Sequence, residues 1–298
     1  MTGKSGGIGS GRAAMADGSE AVGAFFSSYG QGRLLARRAM GVFSNRRPAA
    51  MPPGREDFAV RIKMLELLSG AAEATGTAVI IDVFRACSVA CYAFAAGVEK
   101  ILPVDTVEEA RALKAAHPDY LLAGERHCLK LPGFDFGNSP SEVRQADLAG
   151  KTLVHATSAG TRGLFAAMDV ADRVLTCSFA NMAATAEALR AADPAVVSIV
   201  AMGKAGVAHA PEDKLCAMYL ANVLQGVPNA FETIPRFLRT ATTAEIFFGD
   251  TAIVPEEDFD LCLTLDAFDF YLEATRLPDG RPALLRHFPE RTVPVSMA

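Results

Sequence analysis

Tryptophan is absent from the 298-residue chain, and histidine is scarce at five. No apolar run approaches the ~18 residues of a membrane-spanning helix. The richest stretches, Ala78 to Ile81 and Val196 to Met202, are short, so a membrane span is excluded. No CxxC pair occurs among the six cysteines. Cys87 and Cys91 could share a helix face, but no second close pair completes a zinc site. The cysteines read as buried free thiols of a reducing, cytoplasmic compartment. Also missing are the GxGxxG and Walker glycine patterns, a GxSxG elbow and a Cys-x5-Arg loop, which removes support from dinucleotide, nucleotide-triphosphate, serine-hydrolase and cysteine-phosphatase chemistry. Gly3-Lys4-Ser5 resembles the end of a P-loop, but it lacks both the upstream glycine and the preceding strand.

Half of the residues are apolar and mean hydropathy is +0.21, which rules out a wholly disordered chain. Net charge is −5, unevenly spread. Residues 1–50 carry seven Lys/Arg against Asp17 and Glu20, a balance of +5, and ten of the 25 glycines. They read as a flexible basic extension without chemistry, ending near Met51-Pro52-Pro53-Gly54, and residues 51–298 as one α/β domain. That remainder carries 22 basic and 32 acidic residues, a balance of −10. An acidic body argues against a nucleic-acid-reading surface. A nucleic-acid role for the basic extension ranks third among the readings below.

From about residue 56 strands and helices alternate. Apolar runs at 78–84, 100–104, 120–123, 151–156, 173–177 and 196–202 read as strands. Helices are expected at 87–96, 107–113, 160–168, 182–192 and 212–224. Thr106 is placed to cap one, with Glu109 three residues on. This βα spacing predicts a three-layer α/β/α fold with a mainly parallel or mixed sheet. After residue 228 the pattern reads as a helical C-terminal segment, with an irregular tail from Leu277. Its phenylalanines make a homodimer compatible with the sequence.

In such sheets ligands sit at the carboxyl ends of strands, and polar clusters fall there. Asp82 ends a buried run and Arg85 follows it. Burying Asp82 is costly unless it is paired or metal-bound, so a structural Asp82–Arg85 pair and a cation-plus-anion site weigh equally. Gly124-Glu125-Arg126 repeats the theme. Gly133 to Pro140 holds Asp135 and Asn138 in a loop that Ser139 and Pro140 turn into a helix. Thr157-Ser158-Ala159-Gly160-Thr161 joins a strand to a helix start, a natural phosphate cradle or an ordinary hydroxyl-capped turn. Asn181 follows another strand. Glu212 and Asp213 open a helix, where an acid is favoured without any function. Carboxylates alternating with anion grips suit Mg²⁺ plus a phosphorylated or carboxylated small molecule.

The order and spacing of Ile81-Asp82-Val83-Phe84-Arg85-Ala86, Gly124-Glu125-Arg126, Gly133 to Pro140, the 157–161 turn, Ser178-Phe179-Ala180-Asn181, Glu212-Asp213 and Asp258-Phe259-Asp260-Leu261-Cys262 resemble those of the 2-phosphosulfolactate phosphatases. These are Mg²⁺-dependent enzymes of coenzyme M biosynthesis, and the resemblance covers roughly residues 77–272. Family members tend to have Leu at the position of Phe84, Thr at Cys87 and Val89, Asn at Ala159 and Gly at His127. The resemblance implies hydrolysis of a small phosphorylated hydroxy-acid, 2-phospho-3-sulfolactate giving 3-sulfolactate and phosphate. It implies Asp82, Glu125 and Asp213 as metal or water-positioning residues. Arg85 and Arg126 would neutralise the anion, Thr157, Ser158, Gly160, Thr161 and Asn181 would bind substrate, and Asp135 and Asn138 would orient water. The alternative is a non-catalytic binding or sensor protein for phosphorylated or dicarboxylic metabolites on the same scaffold.

Overall fold

The computed structural model describes residues 60–249 and 252–290. The basic extension and its boundary near residue 51 lie outside them. The first described strand is β1 (Arg61–Glu66), followed by the short helix α1 (Leu67–Ala71). Next come β2 (Thr77–Ile81), α2 (Ala86–Ala95), β3 (Lys100–Val104) and α3 (Val107–Ala116). The hairpin β4 (Leu121–Arg126) and β5 (Leu129–Lys130) leads to α4 (Pro140–Arg144), β6 (Thr152–Ala156) and α5 (Gly160–Met168). Then follow β7 (Arg173–Cys177), α6 (Met182–Ala192), β8 (Val196–Ala201) and α7 (Pro211–Gln225). The later part holds α8 (Thr233–Leu238), α9 (Glu257–Cys262), β9 (Tyr271–Arg276) and β10 (Pro282–His287).

The ten strands form one mixed sheet in the order β1-β8-β2-β7-β9-β10-β3-β6-β4-β5. β1, β8, β2 and β7 are mutually parallel, and so are β3, β6 and β4. The two groups run in opposite senses. The β9–β10 hairpin lies between them, with β9 antiparallel to β7 and β10 antiparallel to β3. The expected α/β fold is present, but the C-terminal segment ends in strands, not helices. Its first part, 233–262, is helical as read. The hairpin was hidden because its strands are only half-buried, while the sheet positions that make them strands lie far away in sequence.

Local chemistry explains the elements that the sequence announced. β2 and β6 are buried along their whole length, as runs without alternation require. The Thr106 hydroxyl caps α3 by accepting the Glu109 N–H at 3.1 Å. Ser139 caps α4, whose first residue is Pro140. Among the described residues no helix is long and apolar enough to cross a membrane, and all six cysteines are free.

Candidate active site

Although β2 and β6 run in opposite senses, their carboxyl ends meet. Gly160, just past β6, lies against Asp82, just past β2. A Cβ at position 160 would stand 2.8 Å from the Ala86 Cβ and 3.0 Å from Asp82 Oδ2. Only glycine lets these two turns approach so closely. Asp82 is buried. Its Oδ1 accepts the Ala86 N–H at 3.2 Å, and the Gly160 backbone beside it also steadies its charge.

Glu125, at the end of β4, reaches the same place. Its Oε1 accepts the Ser158 N–H at 2.9 Å and its Oε2 the Cys128 N–H at 2.8 Å. Asp213, in the first turn of α7, arrives from a third direction. Its Oδ1 accepts the Val83 N–H at 2.7 Å and its Oδ2 the Gly203 N–H at 2.8 Å, joining the loops that leave β2 and β8. Arg85 enters from the β2 loop, where the Phe84–Arg85 peptide is cis. Its guanidinium donates to Asp258 Oδ2 at 2.7 Å and to the Cys128 carbonyl at 3.3 Å. Both members of the Arg85–Asp258 pair are buried, with 3% and 0% of their side chains exposed.

Carboxylates crowd this space. Burial is the main force raising the Asp82 carboxyl to about 6, and the charge of Glu125 adds to it. The Ala86 and Gly160 N–H groups and the Arg85 charge pull the other way. Burial pushes Glu212 up to about 7, and Asp82 adds to it. Burial, then Glu212, then Asp82 raise Asp213 well above the usual carboxylate range. Glu212 is 5% exposed. Among the described residues its Oε2 meets no hydrogen-bond partner, and the Thr243 hydroxyl beside it offsets burial without reaching bonding geometry. A buried orphan oxygen among like charges is an expensive arrangement for an empty protein.

The expected site residues therefore divide. Asp82, Arg85, Glu125, Ser158, Gly160 and Asp213 are brought together by direct bonds or close approach. Thr157 and Thr161 stand at their edge, but their polar groups serve the turn: Thr157 Oγ1 accepts the Thr161 N–H at 3.2 Å, and Thr161 Oγ1 donates to the Thr157 carbonyl at 3.1 Å. The turn into α5 thus faces the protein's own carboxylates: the Ser158 N–H bonds Glu125, and Gly160 lies against Asp82. Asn138 flanks the group. Its Oδ1 meets His155 Nε2 at 3.0 Å, and burial lowers His155 to about 4, against the opposing pull of Glu125.

Three residues are not brought to the group. Asp135 accepts the Leu122 N–H at 2.8 Å, at the start of β4, whereas Glu125 lies near its far end. Asn181 accepts the Ser178 N–H at 3.0 Å and donates to the Thr176 carbonyl at 3.3 Å, closing a capping box. Arg126 turns to the rim, donating to the Glu125 carbonyl at 2.8 Å and the Asp105 carbonyl at 3.0 Å. Cys87 and Val89 belong to the buried core of α2. Phe84 packs against Phe247 and Phe259, ring centroids 4.9 and 5.6 Å away.

Asp258 and Glu212 carry more of the site than the sequence disclosed. Asp258 lies in the acid-rich stretch 256–260, and nothing local tells which acid faces inward. Glu212 reads as a partner of the helix dipole.

As to a metal, Asp82, Glu125 and Asp213 do not converge as a ready-made trio. Among the described residues no three His, Cys, Asp or Glu side chains do. The donors nevertheless fit a hard dication in type and charge. They are all oxygens, their negative charges press on one another, and one buried oxygen is free. Mg²⁺ needs only one or two carboxylates when waters and substrate phosphate complete its shell.

Comparison with known proteins places the chain in a family. The family model described as 2-phosphosulpholactate phosphatase matches residues 63–275. A "Probable 2-phosphosulfolactate phosphatase" of Bacillus subtilis (strain 168) is 32% identical over 199 residues, covering 65% of this chain and 85% of that protein. The protein so named in Clostridium perfringens (strain SM101 / Type A) is 33% identical over 215 residues, covering 66% of this chain and 85% of its own length. One from Thermoplasma acidophilum is 30% identical over 188 residues, covering 63% and 81%. The matched span runs from β1 to the end of β9 and so takes in every carboxylate of the cluster: the chain belongs to the 2-phosphosulfolactate phosphatase family.

Proposed function

We propose that the protein hydrolyses a small phosphorylated hydroxy-acid with Mg²⁺, and that 2-phospho-3-sulfolactate is the first substrate to test. The observation that carries this reading is the buried carboxylate cluster around Asp82, set against the Arg85 guanidinium where the two groups of strands meet. Asp82 and Glu212 would hold the metal: Glu212 Oε2 accepts no hydrogen bond among the described residues and only Oδ1 of Asp82 takes the Ala86 N–H, whereas both oxygens of Asp213 and of Glu125 accept backbone N–H groups. When bound, it would offset negative charge on the phosphoryl oxygens and polarise them. Phosphoryl transfer asks a protein mainly for positioning and charge stabilisation. Arg85 supplies the fixed positive charge. Asp213 and Glu125 hold the strand-end loops in place around it. The water oxygen forms the new P–O bond, the ester P–O bond breaks, and the departing alkoxide leaves with a proton as the free hydroxy-acid.

The test is phosphate release from a panel of phosphorylated hydroxy-acids, with Mg²⁺ and with EDTA. Release from one or two acids that stops with EDTA is expected. Asp82→Asn should cut turnover on the order of a hundredfold or more while leaving the circular dichroism spectrum unchanged. Tight binding of a phospho-acid without turnover at any Mg²⁺ concentration would replace this reading with that of a binding protein.

A further inference from the structure

Arg85 is buried, and a buried guanidinium must be told where to point. Two of its five N–H donors are committed, one on Nη1 to Asp258 and one on Nη2 to the Cys128 carbonyl. These bonds leave from the two terminal nitrogens, so together they fix the plane of the group. Three donors remain for a ligand.

Asp258 is itself immobilised. Its Oδ2 takes Arg85, and its Oδ1 accepts from the Ser139 hydroxyl at 2.9 Å, the Ser141 N–H at 3.0 Å and the Ser141 hydroxyl at 2.7 Å. Four donors thus hold this carboxylate, three on Oδ1 and Arg85 on Oδ2. The donors come from the loop after β2 and from the start of α4, while Asp258 belongs to α9. On its other side Arg85 bonds the Cys128 carbonyl, and the N–H of that residue bonds Glu125, whose second oxygen holds Ser158. One polar chain thus runs from α9 through the guanidinium to the β6–α5 turn. It passes beside Asp82, on which the Arg85 charge acts directly.

Resting on the reading of Arg85 as the anion grip, we infer that Asp258 is its positioning residue. The C-terminal segment aims the guanidinium that binds phosphate. An alternative is an ion pair that only fills and glues the interior. The two make opposite statements about anion affinity. As a bare charge, Asp258 weakens phosphate binding by partly cancelling Arg85, so its removal should tighten binding. As a positioning group it strengthens binding, so its removal should loosen it.

The experiment is calorimetric titration of the full chain with inorganic phosphate, comparing wild type with Asp258→Asn. The amide keeps the shape and loses the charge. Alongside, KM and kcat are measured with the substrate that the phosphatase assay identifies. The expected result is phosphate affinity lowered about tenfold or more in D258N, with KM rising in parallel and kcat changing less than KM. Unchanged or tighter phosphate binding in folded D258N would overturn the inference. Should D258N not accumulate as folded protein, Ser141→Ala removes one hydroxyl from Asp258 and carries the same comparison. S141A must then loosen phosphate binding measurably, and wild-type affinity in it overturns the inference. Wild-type protein that binds no phosphate at all would instead sink the assignment of Arg85 as anion grip, and the inference with it.

Discussion

A single methyl group at position 160 has nowhere to go between Ala86 and Asp82. Gly160→Ala should cost about 1–3 kcal/mol in urea denaturation, and by shifting Asp82 it should lower turnover on the order of a hundredfold. A variant with wild-type kcat would mean that the two turns need not touch. His155 makes a different prediction. Its folded value of about 4 lies below the ordinary 6.5, so below pH 6.5 the unfolded chain takes a proton that the native site refuses. Stability is therefore lost as pH falls from about 6.5 toward 4. From pH 7 to pH 5 this amounts to about 2 kcal/mol. Urea unfolding should show that loss as the wild-type change minus the change in His155→Gln. At this scale the sequence was legible wherever a polar residue interrupted or ended an apolar strand, as at Asp82, Arg85 and Glu125. It was silent where the deciding partner is remote. Asp258 owes its role to Arg85, 173 positions away. Asp135 and Asn181 bond nearby backbone groups, and in the sequence that chemistry looks the same as the chemistry of meeting a ligand.

Asp213 works on whole elements, since its two oxygens tie the loop after β2 to the loop after β8. Asp213→Asn leaves one oxygen as acceptor and turns an NH₂ toward the other N–H. A loss of about 2 kcal/mol is expected, read as a lower midpoint in thermal or urea unfolding. Elements with strong local signals were legible nearly to the residue: the strands 100–104 and 173–177 and the helices 160–168 and 182–192 fall where periodicity and caps put them. β1 was missed because it lies on the sheet edge, partly exposed along its length. β9 and β10 were missed although a turn signal stood between them. Leu277-Pro278-Asp279-Gly280-Arg281 closes their hairpin, with the Leu277 N–H bonded to the Arg281 carbonyl at 2.8 Å. The surrounding residues are too mixed to announce strands until β7 and β3 are present to receive them.

At the scale of the whole sheet, the β9–β10 hairpin joins two groups of parallel strands that run in opposite senses. Among the described residues the sheet has no other hydrogen-bonded connection between those groups. A chain cut after Phe268 should therefore lose cooperative unfolding and phosphate binding together, although every carboxylate of the cluster remains in it. A truncated protein that still unfolded in one sharp transition would show that helix packing alone holds the groups in register. The hairpin also sets an order of events during synthesis. Its strands are the last of the ten described strands in chain order, so both groups are made before the hairpin that joins them. Asp82 and Glu125 both precede the joint, Tyr271 to His287, that completes the sheet between their groups. The order of synthesis thus places these carboxylates well ahead of the hairpin that ties their two groups of strands together.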